Sequence, residues 1–165
     1  MFSIFKKKPQ ISAGGVFPFT ADIHSHILPG IDDGAPDAAA SIILIKGMMA
    51  AGITSAVATP HIIGDLYRNN SETIEKALEI TKNALTENKI DFKIKAAAEY
   101  MLDDYFLELL RTKTPLLAIK DNIVLTEFSY VAKPANVEEI VYNIITEGYR
   151  PILAHPERYG YYQDD

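Results

Sequence analysis

Short apolar runs alternate along the chain with longer stretches in which apolar residues recur at helical spacing. Residues 20–24, "TADIH", predict a short strand. Residues 36–52, "PDAAASIILIKGMMAAG", predict a helix with Asp37 near its start and Gly52 at the stop position. "TSAVATPH" (54–61) predicts a second buried strand, ended by Pro60. The next helix is expected from about Ser71, an N-cap with Glu72 and Glu75 in the first turn, to about Asn88. "FKIKAAAEY" (92–100) reads as a third strand, "LDDYFLELLRT" (102–112) as a short helix and "NIVLTEFSY" (122–130) as a fourth strand. "NVEEIVYNIITEG" (136–148) predicts a helix closed by Gly148, and "RPILAHP" (150–156) one more strand; "PLLAIK" (115–120) reads as a strand or a loop.

Apolar strands that lack polar alternation and are separated by helices indicate a parallel α/β sheet covered by helices. Neither a Gly-rich dinucleotide loop after the first strand nor a phosphate-binding loop is present, which weakens the nucleotide-binding form of an open sheet. Periodicity does not choose between an open sheet and a closed barrel.

Composition narrows the function classes. At 165 residues the chain suits one domain, with residues 1–19 as an N-terminal extension and 20–165 as the domain itself. A net charge of −6 supplies no basic face for nucleic acid. No cysteine is present, which removes disulfides, thiolate metal sites and a cysteine nucleophile together and fits a cytoplasmic protein. No run of 18 apolar residues predicts a transmembrane helix. "MFSIFKKKPQ" has the wrong order and length for a secretory signal, and its "FKKK" reads as part of a solvated terminus.

The chemistry concentrates in the histidines. His24 and His26 fall at the end of the first predicted strand, His61 at the end of the second and His155 at the end of the last. Glu99 closes the third, "KIKAAAE", and Glu127 the fourth, "IVLTE". In a parallel α/β protein those ends meet on one rim, where barrel enzymes keep their active sites. Residues i and i+2 of a strand share a face, so His24 and His26, with Asp22, are placed to grip one ion. Imidazole with carboxylate suits zinc, manganese or iron. A set of six to eight ligands implies more than one ion, and such sites activate water and clamp phosphate oxygens. Alone, each histidine would read as a hydrogen-bonded structural residue; their conjunction at strand ends favours metal. Asp32 and Asp33 divide the remaining roles between ligand and cap, and "DDG" is also an ordinary turn.

"DIHSHILPGIDDG", "ATPH", "AAEYMLD", "LTEFSY" and "ILAHPERY" together resemble the polymerase and histidinol phosphatase (PHP) superfamily, nearest to the bacterial capsule-type protein-tyrosine phosphatases. The resemblance spans about residues 20–160 and implies a TIM-like distorted (β/α)7 barrel with up to three divalent ions (Mn, Fe or Zn) on its C-terminal rim. On that pattern His24 and His26 bind a first ion, and Glu99 bridges it to a second. Glu127 and His155 complete the second, while Asp33 and His61 hold the third. Asp33 thereby also joins the catalytic set. Arg158, in "HPER", is the expected phosphate clamp, since a guanidinium fork matches phosphate oxygens. Arg68, in "DLYRN", is a second substrate-binding candidate, and Tyr159, Tyr161 and Tyr162 are placed to lie near the mouth.

The implied reaction is metal-assisted phosphomonoester hydrolysis in the cytoplasm. Its implied substrate is phosphotyrosine on the tail of a kinase of capsular or exopolysaccharide synthesis. A small phosphomonoester such as histidinol phosphate is the alternative substrate, and a non-catalytic metal-binding module the alternative class. The family pattern continues to a late strand ending in Asp-x-His, which this sequence lacks. The expectation is therefore an incomplete barrel, about the N-terminal two thirds of a PHP domain, in a chain able to form oligomers.

Overall fold

The computed structural model describes residues 18–162; the "FKKK" segment and most of the expected N-terminal extension lie outside them. Among the described residues seven strand segments occur: β1 (Ala21–Asp22), β2 (Ser55–Ala58), β3 (His61–Ile62), β4 (Lys93–Ala96), β5 (Glu99–Met101), β6 (Ile123–Glu127) and β7 (Arg150–Leu153). Four α-helices alternate with them: α1 (Ala38–Ala50), α2 (Ser71–Glu87), α3 (Asp104–Arg111) and α4 (Val137–Thr146). Two 3-10 turns, Pro156–Arg158 and Gly160–Tyr162, follow β7.

All strand pairs are parallel, in the orders β1-β2-β4 and β3-β5-β6-β7. The two sheets are halves of one. Pro60 does not end the second strand as expected but interrupts it, because proline brings no N–H to the ladder. On either side of it the pairing continues: the Ala97 N–H donates to the Ala58 carbonyl at 2.8 Å and the Glu99 N–H to the Pro60 carbonyl at 3.0 Å. Strand neighbours therefore follow chain order, the arrangement that right-handed crossovers produce when each helix lands beside the last. Accordingly α1 packs on α2 and α3 on α4. Among the described residues β1 and β7 each pair on one side only, so this arc is an open parallel sheet with no closure shown.

The helices form where their caps and apolar faces dictate. Asp37 caps α1 through the Ala40 N–H, and Gly52, at φ +92°, takes the left-handed turn after it. The cap of α2 is Asn70, one residue before the expected Ser71; its side chain accepts the Thr73 N–H while the Thr73 hydroxyl accepts the Asn70 N–H. Ile74, Ala77, Leu78, Thr81 and Leu85 bury one stripe of this helix. Burial of each large aliphatic in that stripe contributes about 1.5–3 kcal/mol. Asp103 caps α3 through the Phe106 N–H, and its other oxygen accepts the Gly64 N–H, fastening the helix start to the loop after β3. Residues 115–120 resolve as a loop, held where the Leu117 N–H donates to the buried Tyr100 hydroxyl.

Candidate metal centre

The site begins where β1 ends. The strand stops at Asp22, so His24 and His26 stand on the following loop rather than on the strand face expected for them. Asp22 turns back to accept the His24 N–H at 3.2 Å. The loop is closed by the Ala35 N–H on the His26 carbonyl at 3.1 Å and tied to the sheet by the Thr59 N–H on the Ser25 carbonyl at 2.9 Å. Gly34 makes this closure possible, since a Cβ there would lie 2.0 Å from the His26 carbonyl oxygen.

The two aspartates of "DDG" take different parts. Asp32 turns inward: Oδ1 accepts the Gly34 N–H at 2.9 Å, while Oδ2 lies 2.7 Å from His26 Nδ1 and accepts the His61 N–H at 3.1 Å. Asp33 faces outward, its side chain 62% exposed, with Oδ1 3.5 Å from His61 Nε2.

Glu99 is the hub. Its carboxylate is fully buried and meets all four imidazoles. Oε1 lies 3.3 Å from His24 Nε2 and 2.9 Å from His155 Nε2; Oε2 lies 3.3 Å from His26 Nε2 and 3.1 Å from His61 Nδ1. Glu127, equally buried, lies 2.8 Å from His61 Nδ1 and 3.7 Å from His155 Nε2. The sheet register explains this meeting, because His61 opens β3 directly beside Glu99, which opens β5. Both residues start strand segments after the interruptions rather than closing strands as expected. His155 adopts a left-handed backbone (φ 30°, ψ 57°), a conformation that costs a non-glycine residue about 1 kcal/mol or more and is held here at a cluster of charges.

Every residue expected as a ligand from the sequence (His24, His26, Asp33, His61, Glu99, Glu127 and His155) is thus at one locus. Three sets could each hold a cation: His24–His26–Glu99, His26–Asp33–His61 and His61–Glu99–Glu127, with ligand atoms within 4.8 Å of one another in each. His61 turns Nδ1 to the Glu99–Glu127 pair and Nε2 to Asp33, so it belongs to two of these sets. The donor set fits a divalent ion. His61 Nδ1, Glu99 Oε2 and both oxygens of Glu127 are buried without a hydrogen bond, although nitrogen and oxygen approach within 2.8–3.1 Å. Atoms so close yet unaligned for N–H···O contact have lone pairs converging on shared space, which a cation satisfies.

Charges in the cluster respond to one another. Burial works against the His26 and His61 cations, but the adjoining carboxylates prevail: Asp32 and Glu99 raise His26 to about 9, and Glu127 and Glu99 raise His61 to about 10. Burial opposes ionisation of Glu99, yet His26 and His61 hold its carboxyl well below the usual range. His24 moves down, because burial, helped by its like-charged neighbours His26 and His155, outweighs the opposing pull of Glu99.

Several partners of the site lie in stretches already quoted from the sequence but were not singled out there as site residues. Thr59 is fully buried with Oγ1 2.7 Å from His24 Nδ1. Tyr67 stacks on His61, its ring 5.8 Å away and nearly parallel. Tyr130 sets its hydroxyl 3.3 Å from His155 Nε2 and accepts from Arg158 Nη1 at 3.5 Å. Arg158 is therefore exposed on the His155 side of the cluster. Arg68 lies elsewhere, its guanidinium 4.7 Å over the Tyr105 ring, in a cleft shared with Asp65, Asp103, Asp104 and Glu108 that no member of the cluster lines. Tyr159 is a core residue, fully buried, its hydroxyl donating to the Ala154 carbonyl and accepting the Phe128 N–H. Tyr161 and Tyr162 pack beside it, the Tyr161 hydroxyl donating to the Ser129 carbonyl.

The same residues, in the same order, lie within a match from 20 to 165 to the family described as Capsular polysaccharide synthesis, CpsB/CapC. The chain belongs to the CpsB/CapC family. Among CpsB/CapC relatives, it is 33% identical over 138 residues to the tyrosine-protein phosphatase YwqE of Bacillus subtilis, covering 83% of this chain and 54% of YwqE. It is 30% identical over 140 residues to the tyrosine-protein phosphatase CpsB of Streptococcus pneumoniae, covering 84% and 57% of the two chains. A chain from the crystal structures of YwqE from Bacillus subtilis and CpsB from Streptococcus pneumoniae, described as unique metal-dependent tyrosine phosphatases, superimposes with a TM-score of 0.75 at 32% identity, over 84% of this chain and 56% of that one. The chain spans about half the length of the curated relatives it matches. Among the described residues no helix is long and apolar enough to cross a membrane.

Proposed function

We propose that this chain carries the metal-binding rim of a metal-dependent protein-tyrosine phosphatase, within an arc of a TIM-like distorted (β/α)7 barrel. The observation that carries the reading is the meeting of four imidazoles with two fully buried glutamates, of whose four carboxylate oxygens only Glu99 Oε1 has a hydrogen bond, to His155. The names of the similar proteins, tyrosine-protein phosphatases of Bacillus and Streptococcus, support the substrate class. His24, His26 and Glu99 would hold one ion, Glu99, Glu127 and His155 a second, and Asp33 and His61 a third. Divalent ions there lower the pKa of bound water and polarise phosphoryl oxygens.

The chain's own side chains supply the rest. Arg158, exposed on the His155 side, orients the phosphoryl oxygens through its planar fork. Asp33, the most exposed acid of the cluster, is placed to manage a proton near the departing phenolic oxygen. Arg68 is given no phosphate role, because its guanidinium already covers Tyr105 among four carboxylates. The substrate on this reading is a phosphotyrosine segment of a cytoplasmic kinase tail in capsular polysaccharide synthesis.

The test is steady-state hydrolysis by the manganese-loaded protein of a phosphotyrosine peptide, p-nitrophenyl phosphate and histidinol phosphate. The expected result is the highest kcat/KM for the phosphotyrosine peptide. A higher value for histidinol phosphate overturns the substrate assignment, and stoichiometric metal without turnover of any of the three replaces the phosphatase with a metal-binding module.

A further inference from the structure

His24 and His26 are held alike. Each ring has one nitrogen toward the hub and one toward a buried oxygen behind it. His24 Nε2 and His26 Nε2 stand 3.3 Å from the two oxygens of Glu99. Behind them, His24 Nδ1 is 2.7 Å from Thr59 Oγ1 and His26 Nδ1 is 2.7 Å from Asp32 Oδ2. Only the rear contacts have hydrogen-bond geometry; the Nε2 atoms approach Glu99 without aligning to donate to it. Both rear oxygens are shut away from solvent, Thr59 and the Asp32 carboxylate being fully buried. Both are also fixed in the backbone frame: the Thr59 N–H donates to the Ser25 carbonyl, and Asp32 accepts the N–H groups of Gly34 and His61.

We propose that Thr59 and Asp32 are positioning residues that take the Nδ1 hydrogens of His24 and His26, so that each Nε2, when it carries no hydrogen, aims its lone pair at the space in front of Glu99. The proposal rests on the reading of the cluster as a metal site. An imidazole whose outer N–H is engaged presents the correct tautomer to an ion and loses less rotational freedom on binding it. Asp32 does more than orient one ring, because the same Oδ2 also holds the His61 backbone. It therefore couples the position of the His24–His26 loop to that of the β3 start. Thr59 stands next to the proline that interrupts the second strand, with its Oγ1 2.7 Å from His24 Nδ1.

Two readouts test this in the full chain. The first needs no metal: two-bond proton–nitrogen correlation spectra at pH 8 report which ring nitrogen of His24 carries hydrogen. The expected wild-type result is the Nδ1–H form, shifting toward Nε2–H in Thr59→Val and staying in Thr59→Ser. The second is Mn2+ affinity by competition with a fluorescent chelator. Thr59→Val and Asp32→Asn are expected to weaken it by roughly 10- to 100-fold, and Thr59→Ser by less than about threefold. A wild-type Nε2–H form overturns the proposal, as does Thr59→Val binding Mn2+ like wild type or Thr59→Ser losing as much as Thr59→Val. If Thr59→Val does not fold, the wild-type tautomer and Thr59→Ser still decide. A wild type that shows the Nδ1–H form and binds no Mn2+ sinks the metal reading while leaving the positioning of His24 intact.

Discussion

Replacing Gly34 by alanine presses directly on the loop that presents the candidate ligands. The added Cβ would lie 2.0 Å from the His26 carbonyl oxygen, 2.5 Å from His26 Cβ and 2.8 Å from its carbonyl carbon. None of those atoms can rotate away, so the loop must open by about 1.4 Å to reach ordinary contact. That opening breaks the Ala35 N–H bond to His26 and the Gly34 N–H bond to Asp32, at about 1 kcal/mol each. Residual crowding adds about 1–3 kcal/mol. A loss of about 3–5 kcal/mol in a chain of this size lowers the melting temperature by roughly 10 °C. Scanning calorimetry of the chelator-treated protein measures it directly. Gly47→Ala is the control: it sits inside α1 with no atom within 4 Å of its Cβ position, so the better helix former should raise stability by about 0.5–1 kcal/mol. If Gly34→Ala melts within about 2 °C of wild type, the close approach of Gly34 to His26, and the loop built on it, are refuted.

Three further outcomes follow from the same geometry. Glu99→Gln removes the charge that all four imidazoles face, so bound metal, counted by elemental analysis after gel filtration, should fall by at least one ion per chain; unchanged stoichiometry contradicts the hub role. In the metal-free chain His26 and His61 are raised to about 9 and about 10 from an unfolded value near 6.5, so they stabilise fully below about pH 6.5. That contribution is lost as pH rises toward 10, while Glu99, held low, contributes above about pH 4.5. Urea midpoints with chelator present should therefore decline from pH 6 to pH 10, and a midpoint that is level or rising argues against these ion pairs. Tyr159→Phe leaves the buried Phe128 N–H without its acceptor and should cost about 1–3 kcal/mol in urea unfolding without changing metal stoichiometry, whereas a loss of metal would move Tyr159 from the core into the site.

The parts of this protein that were legible in its sequence are those governed by local chemistry. Asp37 and Gly52 bracket α1 because a side-chain acceptor and a left-handed turn are short-range requirements. His24, His26, His61, Glu99, Glu127 and His155 could be assigned to one locus because parallel topology brings the same ends of the strands together. The strand interruptions were not legible. Pro60 looked like a terminus because its missing N–H is a local fact, while the ladder resuming beyond it depends on the neighbouring strand. The division between Asp32 and Asp33 was equally hidden, since both sit in one turn and only the packed positions of His26 and His61 separate the inward acid from the outward one. Thr59, Tyr67 and Tyr130 stood inside the quoted stretches without being singled out, because their roles come from what stands across from them. The surroundings of Arg68 were hidden for the same reason: its place after the His61 loop is local, whereas its position over the Tyr105 ring depends on where the start of α3 packs.

Anomalous diffraction from crystals grown with manganese tests the central claim most directly. Peaks are expected in front of Glu99, with ions about 2.0–2.3 Å from His24 Nε2, His26 Nε2 and a Glu99 oxygen. A map without such peaks at saturating manganese, in which the four imidazoles simply hydrogen-bond to Glu99 and Glu127, would contradict it.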